Sequence, residues 1–208
     1  MSGVQAQELP IFELPIVLLP GEQLPLHIFE DRYKRMIGRA LERGEPFGVV
    51  LRDDDGARAI GCTATVEEVL EQFDDGRMNV VVSGGEPFRV LDRFESPEYP
   101  LGEVEVVDDE APDADENTAM AARDAFAEIA ERATGSRPSE DELAGTSAYA
   151  IASRIELPHE TKQRLLELRD EEERMGLLAD ALQAVEEALD RAELTADHAR
   201  SNGRVFFE

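Results

Sequence analysis

The pattern of apolar and polar positions changes character near residue 110. Before it, short apolar runs are separated by turn residues. Leu24, Leu26 and Ile28 alternate with other residues, as do Val104 and Val106 with Glu103 and Glu105, which is the period of a half-buried strand. Residues 47–51 and 78–82 are compact apolar runs, also read as strands. Asp74-Asp75-Gly76 and Ser83-Gly84-Gly85 predict hairpin-type turns between strands. Pro10, Pro15, Pro20 and Pro25 remove ladder donors, so the N-terminal strands are expected to be short or to lie at sheet edges. One helix interrupts this region: Tyr33, Met36, Ile37, Ala40 and Leu41 follow a single buried face, and Gly44 stands where a C-terminal cap belongs.

Residues 107–117 carry six acids, a proline and no base, the composition of a linker. Beyond them the spacing is helical. A helix is predicted from about residue 117 to 133, burying Met120, Phe126 and Ile129 and ending at Gly135. Ser139 and Glu142 form a capping box for the next. Pro158 suits the first turn of a short helix carrying Leu165, Leu166 and Leu168. Asp170 with Glu173 caps a longer one, whose Met175, Leu178, Leu182, Val185 and Leu189 step by 3 and 4 as a packing seam.

Composition narrows the function classes. The 208 residues hold 47 acids against 21 bases, a net charge of −26 spread over both regions. Nucleic-acid affinity comes largely from Lys and Arg displacing phosphate counterions, so this balance argues against nucleic acid, and equally against an anionic membrane surface. The arginines and lysine of the first helix, Arg32, Lys34, Arg35, Arg39 and Arg43, are interspersed with Glu30, Asp31 and Glu42 and read as a salt-bridged surface. Cys62 is the single cysteine, which excludes an intramolecular disulfide, and neither a secretory leader pattern nor a membrane-length apolar run is present. A cytoplasmic location is expected.

Catalytic motifs are missing from the sequence. Neither Lys34 nor Lys162 follows a glycine, so there is no P-loop, and no two glycines are spaced as a dinucleotide fingerprint needs. No serine has the glycine spacing of a nucleophile elbow. His159-Glu160 begins a His-Glu-x-x-His metal motif, but residue 163 is Gln. His27, His159 and His198 lie far apart; His27 is read as a packed or hydrogen-bonded imidazole, and Cys62 as a buried, inert thiol. Asp53, Asp54, Asp55, Asp74 and Asp75 read as solvated turn residues. No cofactor or metal is expected.

The strand region resembles a known family. Leu9-Pro10-Ile11-Phe12, Leu19-Pro20-Gly21 and the run from Leu24 through His27, Phe29, Glu30 and Arg32 to Tyr33 look like the opening of the LON substrate-binding domain, the N-terminal domain of ATP-dependent Lon proteases, which also occurs as a stand-alone bacterial protein. Phe47-Gly48-Val49-Val50, Ile60-Gly61-Cys62, Asp75-Gly76-Arg77-Met78, Gly85, Phe88-Arg89-Val90 and Tyr99-Pro100 continue the pattern in order. Leu157-Pro158, Lys162-Gln163, Leu165-Leu166-Glu167-Leu168 and Glu173-Arg174 extend it more loosely to about residue 193. Two positions depart from it: Asp31 stands where the family usually has proline, and Pro87 where arginine commonly precedes the phenylalanine.

The resemblance implies an α+β fold: an N-terminal PUA-like β pseudo-barrel with one inserted helix, followed by a C-terminal helical bundle. The expected division is a β-rich part over 1–110, an acidic linker over 111–117, and helices with a C-terminal tail over 118–208. It further implies a non-catalytic module that binds unfolded or extended polypeptide segments, as an adaptor in protein quality control beside an ATPase or protease partner. The ATPase and Ser-Lys protease domains of full Lon proteases are absent from the sequence, so no proteolysis is implied. Pro20, Leu24, Leu26, Phe29 and Tyr33 are the candidate peptide-binding residues, through strand addition at an open edge or a groove between the two parts. Their structural reading is a turn, an edge strand, and two aromatics packing the helix onto the barrel. A peptidase or other hydrolase with an unrecognised site, and an RNA-binding PUA-like module, stand as alternatives.

Overall fold

The computed structural model describes residues 6–94, 96–111 and 113–202. The strands are β1 (Gln7–Leu14), β2 (Gln23–Ile28), β3 (Phe47–Asp53), β4 (Gly56–Ala57), β5 (Ile60–Gln72), β6 (Met78–Phe94) and β7 (Leu101–Val106), with helix α1 (Asp31–Arg43) between β2 and β3. The helices α2 (Glu116–Thr134), α3 (Glu140–Leu143), α4 (Ala148–Ala152), α5 (His159–Glu167) and α6 (Glu171–Asn202) follow. The sheet pairs in the order β1-β7-β6-β5-β3, antiparallel throughout, and β3 returns to β1 in parallel, so the strands close into a ring. β2 stands outside the ring and, among the described residues, pairs only with β6.

The prolines fit because strands share their edges piecewise. Residues 7–10 of β1 pair with β7 and residues 11–14 with β3, so Pro10 lies where only one neighbour is present. The ring closes tightly around a small core of Leu9, Ile11, Val50, Phe88 and Val104. A Cβ at Gly48 would stand 2.5 Å from the Phe88 ring, and one at Gly61 would stand 2.4 Å from the Val49 carbonyl oxygen. Gly48 makes room for the Phe88 ring, and Gly61 lets the β3 backbone approach closer than a side chain allows.

A second, larger core joins the strands to the helices. It gathers Phe12, Val80 and Val82 with Ile37 of α1, Phe126 of α2, Ile151 of α4, Leu165 of α5 and Leu178 of α6. Each fully buried leucine or isoleucine contributes about 1.5–3 kcal/mol. Caps set the helix limits. Gly44 and Gly135 end α1 and α2 in the left-handed conformation, and Asp170 Oδ1 accepts the amides of Glu172 and Glu173 at the start of α6. The Ser139–Glu142 box forms in both directions, and those two hydrogen bonds hold the Glu142 carboxyl below the usual range, although α3 runs only four residues.

Several expectations are corrected. Ser83-Gly84-Gly85 is no turn: it lies inside β6, a 17-residue strand that runs through it. Gly84 is needed there because its N–H donates to Glu22 O while its carbonyl accepts from Gly21 N–H, both at 2.9 Å, bringing β6 against the 19–22 turn. Met120 is 52% exposed, because α2 buries Ala119, Ala122 and Phe126 instead. Leu41 and Leu189 are also exposed at the ends of their apolar stripes. Helix α4 was not anticipated; its five residues hold only Ile151 and Tyr149 as large side chains.

The acidic stretch after β7 is held along the start of α6. Glu110 N–H donates to Arg169 O at 2.8 Å, Glu171 N–H to Ala111 O at 2.9 Å, and Asp109 pairs with Arg174. Arg174 is 1% exposed. It also donates to Glu171 Oε2, and its guanidinium lies 4.6 Å over the Tyr149 ring. Glu171 accepts in turn from Ala148 N–H at 2.6 Å, at the start of α4. One arginine thereby ties the acidic stretch, α4 and α6 together.

Candidate peptide-binding surface

Strand β2 alternates between two faces. Leu24 and Leu26 are half-buried and Ile28 is buried against the larger core, while Gln23, Pro25 and His27 face outward. The hydrogen-bond parity follows from its first contact. Since Gly84 N–H donates to Glu22 O, residues 24, 26 and 28 direct their main-chain groups to β6, and residues 23, 25 and 27 direct theirs to the open side. The open edge therefore offers three carbonyls but only two N–H donors, because Pro25 has none. A proline in the middle of an edge blocks long edge-to-edge association, yet leaves room for a short extended segment.

The outward face is organised around His27. Asn79 Nδ2 donates to Glu71 at 3.0 Å, which leaves Oδ1 as acceptor for His27 Nδ1–H at 2.6 Å. The imidazole stacks against Phe29, with ring centroids 6.0 Å apart, and meets the edge of Phe73 at 6.3 Å. Arg77 lies over Phe73. Phe29 is 60% exposed, so the expectation that it packs α1 onto the strands is corrected: β2 turns its even-numbered residues inward, and Phe29 leaves the last of them, Ile28, on the opposite side. Tyr33 does pack as expected, 5% exposed, with its ring 4.1 Å from that of Phe12.

Pro20 borders a groove of 590 Å³ between the Pro20-Gly21 turn, Gln23 and α4, whose other walls are Ser147, Tyr149, Ser153 and Arg154. The turn is fixed from below: Glu22 Oε2 accepts from Leu19 N–H at 2.9 Å, and Glu22 Oε1 pairs with Lys162 of α5 in a largely buried contact. Tyr149 donates its hydroxyl to Leu165 O at 3.0 Å, and burial pushes its phenol upward. Of the five candidate residues, Pro20, Leu24, Leu26 and Phe29 thus lie along one strand and its leading turn, while Tyr33 belongs to the core. The α4 side of the groove was missed, because short polar side chains at Ser147 and Ser153 carry no periodic signal; the capping serine before α4, with Oγ accepting Ala150 N–H, was the clue available.

The remaining chemistry-bearing residues do not converge. Among the described residues no group of three His, Cys, Asp or Glu side chains is placed to hold a metal ion, and no helix is long and apolar enough to cross a membrane. His159 lines a polar cleft with Asp53, Arg58 and Gln163, and Gln163 is itself buried, donating to Ile60 O and Glu167. The side chain of His198 lies outside those described. Cys62 is fully buried, and burial pushes its thiol up to about 12. A thiol reagent should therefore label the native protein negligibly and the urea-unfolded protein completely; fast labelling under native conditions would contradict this burial.

A closed strand ring, helices packed against it, and one outer strand with an open edge make this a mixed domain of helices and antiparallel sheet. Residues 8–184 match the family described as the ATP-dependent protease La (LON) substrate-binding domain, and the chain belongs to that family. It is 28% identical over 195 residues to a Lon protease of Paraburkholderia phytofirmans, covering 83% of this chain and 24% of that protein. A Lon protease 2 of Myxococcus xanthus is 27% identical over 200 residues, covering 88% and 24%. The chain thus spans about a quarter of the length of these relatives. Among solved structures, a Lon N-terminal domain protein from Xanthomonas campestris superposes with a TM-score of 0.65 at 25% identity, covering 83% of this chain and 96% of that one. The N-terminal domain of a Mycobacterium avium complex Lon protease shares the fold, with a TM-score of 0.67 at 20% identity over 85% and 98% of the two chains.

Proposed function

We propose that this chain is a non-catalytic module that captures extended, apolar polypeptide segments along the open edge of β2 and the adjoining α4 groove, acting as a substrate-recognition adaptor for an ATPase or protease partner. Membership of the substrate-binding family supports the reading. The observation that carries it is the placement of Phe29, a 60% exposed aromatic held by stacking at the end of a strand whose outer edge is unpaired among the described residues. Main-chain groups of Gln23, Pro25 and His27 would pair with the segment, Phe29 would anchor an apolar side chain, and the groove beside Pro20 would receive the next. In this reading the ring is a PUA-like pseudo-barrel, the helices form a bundle behind it, and residues 111–117 join two parts of a cytoplasmic protein.

The test is titration of a dye-labelled, neutral apolar peptide into the full chain. Phe29→Ser removes an exposed ring and no core contact, and should weaken binding about tenfold, the value of a largely buried phenyl. Binding should persist as salt rises, because apolar and main-chain terms are not screened. Binding of a basic peptide should fall with salt. If only the basic peptide binds and salt abolishes it, the −26 surface is acting as a polyanion and the capture reading fails.

A further inference from the structure

Beside the start of α1, residues of β1, β3, β6 and β7 gather positive charge. A cleft of 480 Å³ is bounded by Arg32 and Tyr33 of α1, Arg52 of β3, Arg93 and Phe94 of β6, and Leu101 of β7. Within a chain of net charge −26, three guanidiniums here face two carboxylates. Glu13, largely buried, accepts from both Arg52 and Arg93, and exposed Glu30 accepts from Arg32 at 3.0 Å. Arg93 donates its second terminal nitrogen to Arg58 O, which fixes its plane. Arg52 uses one nitrogen on Glu13 and keeps other donors without a partner among the described residues. The start of α1 is already answered by its own acids, Glu30 at the N-cap and Asp31 in the first turn, so the cleft relies on the arginines.

We propose that this cleft binds the carboxylate at the C-terminus of an apolar polypeptide, a conclusion that rests on the peptide-capture reading above. Planar guanidiniums match a carboxylate fork, and charge-assisted bonds of this kind are the strong ones. Apolar walls stand beside the charge: Phe94 is partly exposed and Leu101 is half-buried. A terminal residue presents a carboxylate and an apolar side chain from a single Cα, which is the combination the cleft offers. A polyanion fits less well, because the surrounding acidic surface repels every charge after the first.

The experiment compares two peptides of one neutral apolar sequence, one ending in a free carboxylate and one in an amide, titrated into the full chain by fluorescence anisotropy. The free acid should bind about tenfold more tightly, the worth of one charge-assisted contact. Arg32→Gln, an exposed change that leaves the Glu13 pairs intact, should abolish most of that preference. Inorganic phosphate should fail to displace the acid peptide at concentrations where unlabelled acid peptide succeeds. Equal binding of acid and amide overturns the terminal-carboxylate site alone, as does a preference that survives both Arg32→Gln and Arg52→Gln. Displacement by phosphate would make the cleft a general anion site and also overturns it. Failure of both peptides to bind overturns the capture reading together with this one.

Discussion

Arg174→Met should lower the stability of the fold by about 3–5 kcal/mol, the cost of leaving a buried ionic partner uncompensated. The arginine is 1% exposed and satisfies Asp109 and Glu171 while covering the Tyr149 ring. Methionine fills similar volume, so the loss falls on the acids. Asp109 is about one-third exposed and can turn to water, whereas Glu171 is 7% exposed at its side chain. Burial lifts the Glu171 carboxyl above the usual glutamate range, against the lowering effects of the Ala148 amide and Arg174. A carboxyl whose native pKa is raised contributes stability below its unfolded pKa and loses it as pH rises through the native value. Removing Arg174 takes away one of the lowering effects and raises the native value further. The gap between variant and wild type, measured by urea unfolding, should therefore shrink as the pH is lowered from neutral through the raised Glu171 value toward the ordinary glutamate range. Glu171→Gln added to Arg174→Met should recover part of the loss at the higher pH. A gap that widens on acidification would show that Glu171 is not the group left stranded.

Gly84→Val should be comparably damaging for a steric reason. A Cβ at residue 84 would stand 2.0 Å from the carbonyl oxygen of Leu19, a backbone atom that cannot rotate away. Overpacking typically costs 1–3 kcal/mol, and here about 3 kcal/mol or more is expected, since the main-chain bonds to Gly21 and Glu22 must separate as well. The displaced turn carries Glu22, the partner of Lys162, and leads into β2, so peptide binding should fall with stability. Gly38→Ala, at a position of α1 with nothing within 4 Å, is the control and should be neutral or stabilising by up to about 1 kcal/mol. A folded Gly84→Val protein with unchanged urea midpoint would mean that β6 does not run against the 19–22 turn.

Local rules and tertiary packing divide the account of individual elements. The alternation of Leu24, Leu26 and Ile28 was visible because one face of β2 is buried, and the period of a strand is then written in its side chains. Gly44, Gly135, Asp170 and the Ser139–Glu142 pair were legible because a cap satisfies amides or carbonyls only a few residues away. Gly84 was misread because a glycine in a turn and a glycine beneath a crossing backbone look alike in sequence. Met120 was misread because three alanines and Phe126 on the same helix could bury a face of their own once α6 lay against it.

The sequence by itself determined the strand-then-helix order, the positions of most caps and the family, since each depends on neighbours in the chain or on motif residues in fixed order. Only the tertiary structure decided that β3 returns to β1, that Arg174 neutralises an acidic stretch 65 residues away, and that Pro25 faces an unpaired edge while Phe29 stands exposed beside it. It also decided that Arg32, Arg52 and Arg93, scattered over two strands and a helix, share one cleft. The reason is the range of the interactions: a cap or an alternation is settled within one turn or one strand, whereas ring closure and charge pairing depend on which surfaces the buried core brings together.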